Sequence, residues 1–266
     1  MRLKNKIAIV VGAGQSPGET IGNGRATCLT FAREGAKVMC VDRGLASAEE
    51  TADQIHAAGG TALAFEADVT VEAQLVAMVA RCKSEWGRVD VLHYNVGISI
   101  AGGDAGVTEI STDAFDLIMS VNLRGAVMAC KHVLPIMREQ GSGSIVNISS
   151  LAAIEKNPLV AYKASKAALV AYTEQLAIQN AQYGIRANVI LPGLMDTPMA
   201  VDTRVRVLGK TRAELVAARN SRVPLHNRMG TAWDVANAAL FLASDEAAFV
   251  TGVALRVDGG AGVNTG

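Results

Sequence analysis

The sequence predicts a doubly wound α/β fold: a parallel sheet of about seven strands with helices on both faces. Three observations predict it. Short β-branched runs alternate with longer amphipathic patterns along the whole chain. The short runs are apolar on both faces, as in parallel sheets covered on both sides. The first run is followed at once by a glycine-rich turn and a helical pattern, the arrangement that opens a nucleotide-binding sheet.

The strand runs, in order, are IAIVV at 7–11, AKVMCVD at 36–42, TALAFEAD at 61–68, VDVLHYN at 89–95, GSIVNISS at 143–150, IRANVIL at 185–191 and VALRVD at 253–258. Among the helical patterns, Glu72 to Trp86 and Ala161 to Gln182 are the clearest. No long linker, internal repeat or low-complexity tract interrupts the chain, so 1–266 reads as a single dinucleotide-binding and catalytic domain. The stretch 198–229 lies between the sixth strand and the last long helix and lacks a sheet assignment, so it is the expected substrate lid.

Composition narrows the function. Lys plus Arg and Asp plus Glu stand at 25 each, so no whole-molecule field favours nucleic acid or an anionic membrane, and small-molecule chemistry is the default. The apolar run at 7–11 is shorter than a signal-peptide core, and no later run is expected to span a membrane, which points to a cytoplasmic protein. Cys28, Cys40, Cys82 and Cys130 are widely spaced, as suits reduced thiols packed as small hydrophobes. His56, His93, His132 and His226 have no metal-ligand spacing; they read as surface or satisfied core residues, and no metal is expected.

The turn after the first strand, GAGQSPGETIGNG, fits no single glycine frame. Gly12 and Gly14 begin a G-x-G-x-x-G pattern whose third position is Pro17, whereas Gly18, Gly22 and Gly24 fit G-x-x-x-G-x-G several residues late. The reading that reconciles them has Gly12 turning out of the strand and Gly22, Asn23 and Gly24 opening the helix, whose N-terminal amides face a pyrophosphate. Gly14 and Gly18 then shape an inserted flap over Gln15 to Thr20.

The second strand ends in Asp42, about twenty residues beyond the loop, where a carboxylate accepts the ribose hydroxyls and repels a 2′-phosphate; NAD is therefore the expected cofactor. Arg43 follows and partly offsets that repulsion. Asp68, with Val69 next to it, and Asn95 end the third and fourth strands; they meet the adenosine or simply cap turns.

In AYKASKAAL, Tyr162 and Lys166 lie one helical turn apart and share a face, one loop after the serines of NISS. Such a set moves a proton at an alcohol oxygen. A phenol takes or gives the proton, an ammonium acidifies the phenol, and a hydroxyl holds the substrate oxygen. Lowering tyrosine from about 10 to about 7 takes about 4 kcal/mol. One ammonium about 4 Å away supplies about that much at an effective dielectric near 20.

Over essentially its whole length the sequence resembles the short-chain dehydrogenase/reductase family, with its Rossmann-like sheet. The resemblance rests on the glycine loop, Asp68, NVG at 95–97, Asn122 in SVNLRG, the serines of NISS, YKASK, and LPGLMDTPM. It implies that Tyr162 is the general acid/base and that Lys166 lowers its pKa and binds the nicotinamide ribose. It also implies that Asn122 holds a water in a proton relay and that Pro192, Gly193, Met195 and Thr197 lie near the nicotinamide end, with Asn95 and Gly97 along the cofactor. A homotetramer is implied as well. The family's serine is the second of its pair, Ser150, although the usual spacing of thirteen to the tyrosine falls on Ser149; Ser150 is the expected hydroxyl. Two further departures are the long glycine loop, with Asn23 where isoleucine is usual, and Tyr94 at the first position of the usual N-N-A-G.

The expected function is NAD-dependent hydride transfer between a nicotinamide and a secondary alcohol or ketone. The expected pocket residues Ile98, Leu151, Leu159, Met195 and Met199 are apolar and suit a hydrophobic or cyclic skeleton. The alternatives are an enoyl reductase, against which the Tyr-x-x-x-Lys spacing argues, and a nucleotide-sensing protein without catalysis. From Val201 to Arg228 seven basic residues face two acidic ones, which reads as a solvated helix face or as a lid that attracts an anionic substrate.

Overall fold

The computed structural model describes residues 1–264. In chain order the main sheet holds β1 (Ile7–Val11), β2 (Lys37–Asp42), β3 (Thr61–Glu66), β4 (Val91–Tyr94), β5 (Gly143–Ile148), β6 (Ile185–Pro192) and, last, β9 (Ala254–Val257). They are all parallel, in the spatial order β3-β2-β1-β4-β5-β6-β9. Alternation along β1 divides the core. Ile7, Ile9 and Val11 join the layer packed under α3 (Glu72–Trp86), α5 (Gly125–Gln140) and α6 (Val160–Asn180). Ala8 and Val10 face the layer under α1 (Asn23–Arg33), α2 (Leu45–Ala57) and α9 (Ala232–Ala243).

Because β1 is flanked by β2 on one side and β4 on the other, the winding reverses there, and the carboxyl ends of β1 and β4 open on the crevice where such sheets bind ligands. The sequence-based strand limits overshoot at this end. Asp68, Asn95, Ser149 and Ser150 lie just beyond their strands, where their side chains are no longer committed to a sheet face.

The 198–229 stretch sits between two short strands that the sequence reading did not assign, β7 (Met195–Asp196) and β8 (Gly230–Thr231), which pair in parallel. Between them run α7 (Asp202–Leu208) and α8 (Arg212–Asn220), the latter opened by a reciprocal capping box of Thr211 and Glu214.

One apolar run needs accounting for, and one expectation needs correction. α4 (Thr112–Met119) continues through a wide turn into α5, and this run of 29 residues contains an 18-residue window of mean hydropathy 1.2, apolar enough by length and composition alone to cross a membrane. Its apolar residues Ala126, Ala129, Cys130, Val133 and Met137 are packed in the core, which accounts for that composition. His93 is indeed a core residue, edge-on to Phe31, yet neither of its ring nitrogens finds a hydrogen-bond partner. Burial drives its pKa down to about 3, so the ring is neutral. All four cysteines are free and buried, and burial pushes Cys82 and Cys130 up to about 12.

Candidate active site

Gly12 leaves β1 at a φ of 85°, and its carbonyl accepts a hydrogen bond from Asn95 Nδ2 at 3.1 Å. Gly22 is the N-cap of α1, whose first turn carries neither a side-chain cap nor an acidic residue, so its amides remain available to an anion. The glycines differ in what they tolerate. A Cβ on Gly24 would overlap the Gly12 carbonyl oxygen, so the turn itself demands glycine there. A Cβ on Gly22 would meet nothing nearer than the Gly14 oxygen at 4.0 Å.

The flap is docked rather than free. Gln15 Oε1 accepts from Gly22 N at 3.0 Å, Arg206 donates to the Pro17 carbonyl at 3.3 Å, and Glu19 pairs with Arg212 at 3.3 Å. Gly18 packs so closely on Asp202 and Pro198 that a Cβ would collide with both. Gly14 is equally tight against Asp42, where a Cβ would lie 2.7 Å from Oδ2.

Asp42 turns its carboxylate back toward this turn, accepting from Gly14 N at 2.9 Å and Gly44 N at 3.2 Å. Arg43 is exposed beside it. Asp68 closes an Asx turn on Thr70, accepting from its amide at 2.8 Å and its hydroxyl at 2.6 Å; those two bonds hold it below the usual carboxylate range. Val69 is buried, against Gly125. A Cβ on Gly97 would lie 3.0 Å from Lys166 Nζ, so the fourth-strand loop runs directly past the lysine.

Four candidate side chains converge. α6 places Tyr162 and Lys166 on one face, with Lys166 Nζ 5.8 Å from the tyrosine ring centre and donating to the Ile148 carbonyl at 2.8 Å. Lys166 is 1% exposed, and burial lowers it to about 7. Ser150 Oγ accepts from Ala152 N at 3.1 Å and acts on the Tyr162 phenol in the direction that favours its ionised form; Ser149 instead donates to the Lys166 carbonyl at 2.7 Å, as a strut between β5 and α6. Asn122 sits in the wide π-helical turn between α4 and α5, an irregularity often found at functional sites. Its Oδ1 accepts from Ile98 N at 2.8 Å, and its Nδ2 donates to Ile98 O and Ser165 Oγ, each at 3.0 Å.

Burial pushes the Tyr162 phenol upward, opposed first by Ser150 and then by the positive charge of Arg204 on α7. That positive charge comes from a residue that the sequence reading did not single out. Asp104 was missed as well. Its carboxylate accepts from the amides of Ala161 at 3.0 Å and Tyr162 at 2.7 Å, anchoring the first turn of α6. No spacing signal links AGGDAG to a helix more than fifty residues away.

Beyond β6, Gly193 donates to Val257 O at 2.9 Å and presses on Asp258, which leaves no room for a Cβ. Pro192, Gly193, buried Met195 and buried Thr197 therefore line one wall leading into the 198–229 stretch.

The sequence matches the family described as Enoyl-(Acyl carrier protein) reductase over residues 19–262. It is 38% identical over 258 residues to 2-(R)-hydroxypropyl-CoM dehydrogenase of Xanthobacter autotrophicus, covering 96% of this chain and 98% of that one. Levodione reductase of Leifsonia aquatica is 36% identical, with 97% and 95% covered. The crystal structure of a short-chain dehydrogenase/reductase from Burkholderia xenovorans superposes with a TM-score of 0.93 at 41% identity, covering 100% of this chain and 99% of that one. The chain belongs to the short-chain dehydrogenase/reductase family.

Short-chain dehydrogenases/reductases are oxidoreductases that use a nicotinamide cofactor. The residues here fit such a group. The α1 amides are uncapped, Asn23 Oδ1 and Thr20 Oγ1 are buried without a partner at the same turn, and a Cβ at Gly22 has open space around it.

Proposed function

We propose that this protein is an NAD-dependent dehydrogenase or reductase acting on a secondary alcohol or ketone. The observation that carries the proposal is the convergence of Ser150, Tyr162, Lys166 and Asn122 beyond the carboxyl ends of β4 and β5. The nicotinamide supplies the hydride acceptor or donor. The chain's own residues handle the proton and the geometry. Ser150 Oγ holds the substrate oxygen, and Tyr162 Oη takes the hydroxyl proton on oxidation and returns it on reduction. Lys166 holds the nicotinamide ribose beside Gly97 and gives charge to the site. Asn122 fixes the Ile98 backbone and carries a water toward Lys166.

On the cofactor side, the α1 amides with Gly12, Gly22, Asn23 and Gly24 take the pyrophosphate. Asp42 takes the adenosine ribose, with Arg43, Asp68, Val69 and Asn95 around the adenine half. The preference for NAD rests on the Asp42 carboxylate at the end of β2. Pro192, Gly193, Met195 and Thr197 border the nicotinamide, and 198–229 serves as the lid. A cytoplasmic homotetramer completes the proposal, by resemblance to the family.

The test is a panel of secondary alcohols and ketones with NAD and NADP, followed by nicotinamide absorbance. Turnover of any member with NAD preferred supports the reading; turnover of none rejects it. The matched family's description favours adding a crotonyl thioester, and reduction of that compound alone would replace a carbonyl reductase with an enoyl reductase.

A further inference from the structure

Two guanidiniums of the 198–229 stretch form no ion pair among the described residues. Arg204 is half-buried on α7, and its one hydrogen bond among the described residues is to the Ala200 carbonyl, at 3.0 Å. Arg219 is buried on α8. Its Nε lies 3.1 Å from Met229 Sδ, and its Nη2 lies 3.4 Å from the Met195 carbonyl.

The carboxylates nearby pair with another arginine, although Asp196 also acts favourably on Arg219 and Asp202 Oδ2 has no hydrogen-bond partner. Arg212 holds Asp196 at 2.6 Å, Asp202 at 3.4 Å and Glu19 at 3.3 Å. Arg204 and Arg219 also repel each other, and burial together with that repulsion brings Arg219 down to about 10. A guanidinium has five donors, and withdrawing it from water without an anion is costly. Asp196 offsets part of that cost for Arg219, whereas Arg204 has no such partner among the described residues.

The charge of Arg204 reaches the Tyr162 phenol, and α7 packs over the turn at Ile100–Gly102, just after Ile98. Arg204 is thus carried on the helix that packs over this side of the site, near enough for its charge to act on Tyr162. The remaining basic residues of this stretch, Arg206, Lys210, Arg222 and Arg228, are exposed, so the solvated-face reading holds for them and not for Arg204 and Arg219.

We infer that Arg204, backed by Arg219, binds an anionic group of the substrate, so that the alcohol or ketone carries a carboxylate, sulfonate or phosphate a few bonds from the reacting carbon. This rests on the oxidoreductase reading of the same site and names its substrate class. Planar guanidinium forks suit all three groups. The apolar residues Leu151 and Met195 then contact the carbon skeleton between the two ends.

The test is calorimetric binding with NAD present, on wild type, Arg204→Met and Arg204→Lys. The probes are 3-hydroxybutyrate, 2-hydroxypropane-1-sulfonate, glycerol 3-phosphate and the neutral methyl 3-hydroxybutyrate. In wild type at least one anion should bind about tenfold or more tightly than the ester, which identifies the group, and added salt should narrow the gap. Arg204→Met should abolish that preference, and Arg204→Lys should restore part of it. Equal affinity for the ester and all three anions, or a preference that survives Arg204→Met, overturns the inference. Because binding is read without turnover, an anion preference in a protein that oxidises no alcohol would reject the dehydrogenase reading and keep this one.

Discussion

Lys166 holds its side-chain nitrogen 5.8 Å from the centre of the Tyr162 ring while donating to the Ile148 carbonyl at 2.8 Å, at a position 1% exposed. The folded protein thus keeps a titratable amine with a pKa of about 7, against an unfolded value of about 10.4. Between these two values the unfolded chain binds more protons, so this group's contribution to stability rises with pH across that window. The stability of wild type relative to Lys166→Met should therefore improve between pH 7 and pH 10, by about 1 kcal/mol or more. Denaturant unfolding of both proteins across that range checks it, and parallel curves would contradict it.

His93 gives a second pH dependence at lower pH. Its folded pKa is about 3 and its unfolded value about 6.5, so stability present near neutrality is lost as pH falls below about 6.5. The limiting slope is about 1.4 kcal/mol per pH unit. In His93→Phe, which keeps an aromatic edge against Phe31 and removes two unpartnered nitrogens, the decline between pH 7 and pH 5 should be shallower than in wild type. The unfolding midpoint at each pH measures this; an equally steep decline in the variant would show that the ring finds a partner.

At the glycine turn, Gly22 and Gly24 should separate cofactor binding from folding. Gly22→Ala has room within the protein and should keep the wild-type Tm while weakening NAD binding by about tenfold or more through the cofactor's own approach. Gly24→Ala runs into the Gly12 carbonyl and should lower the Tm itself. Gly18→Ala strikes Asp202 and Pro198, so it should speed proteolysis within 198–229. An unchanged cleavage rate would mean that the flap does not hold that segment.

Asp42→Asn keeps an oxygen acceptor for Gly14 N and removes the charge facing a 2′-phosphate. The NAD-over-NADP affinity ratio should fall by about tenfold, or about 1.4 kcal/mol. Titration with both cofactors decides it, and a wild type that already prefers NADP would reject the reading of this strand end.

The sheet was legible because apolar runs such as IAIVV are buried on both sides and carry their own periodicity, and Tyr162 with Lys166 because one helical turn joins them in sequence. The rest depended on long-range packing. The charge of Arg204 acts on Tyr162 only through the placement of α7, and Asp104 reaches the start of α6 across two helices and a strand, so neither leaves a local pattern. The choice between Ser149 and Ser150 was a matter of which side of β5 each leaves on; Ser149 is spent on the Lys166 carbonyl, while Ser150 acts on the phenol in the direction of ionisation. What the flap rests on was not legible in the sequence either. Its contacts with Arg206 and Arg212 lie nearly two hundred residues further along the chain.

The central claim is that Tyr162 is the proton donor and acceptor, and the most direct measurement is steady-state turnover of Tyr162→Phe beside its NAD affinity, with the best substrate from the alcohol and ketone panel. The account predicts that kcat falls by about a hundredfold or more while NAD binding and the unfolding midpoint stay close to wild type. Near-normal turnover in a folded, NAD-binding Tyr162→Phe protein would contradict it.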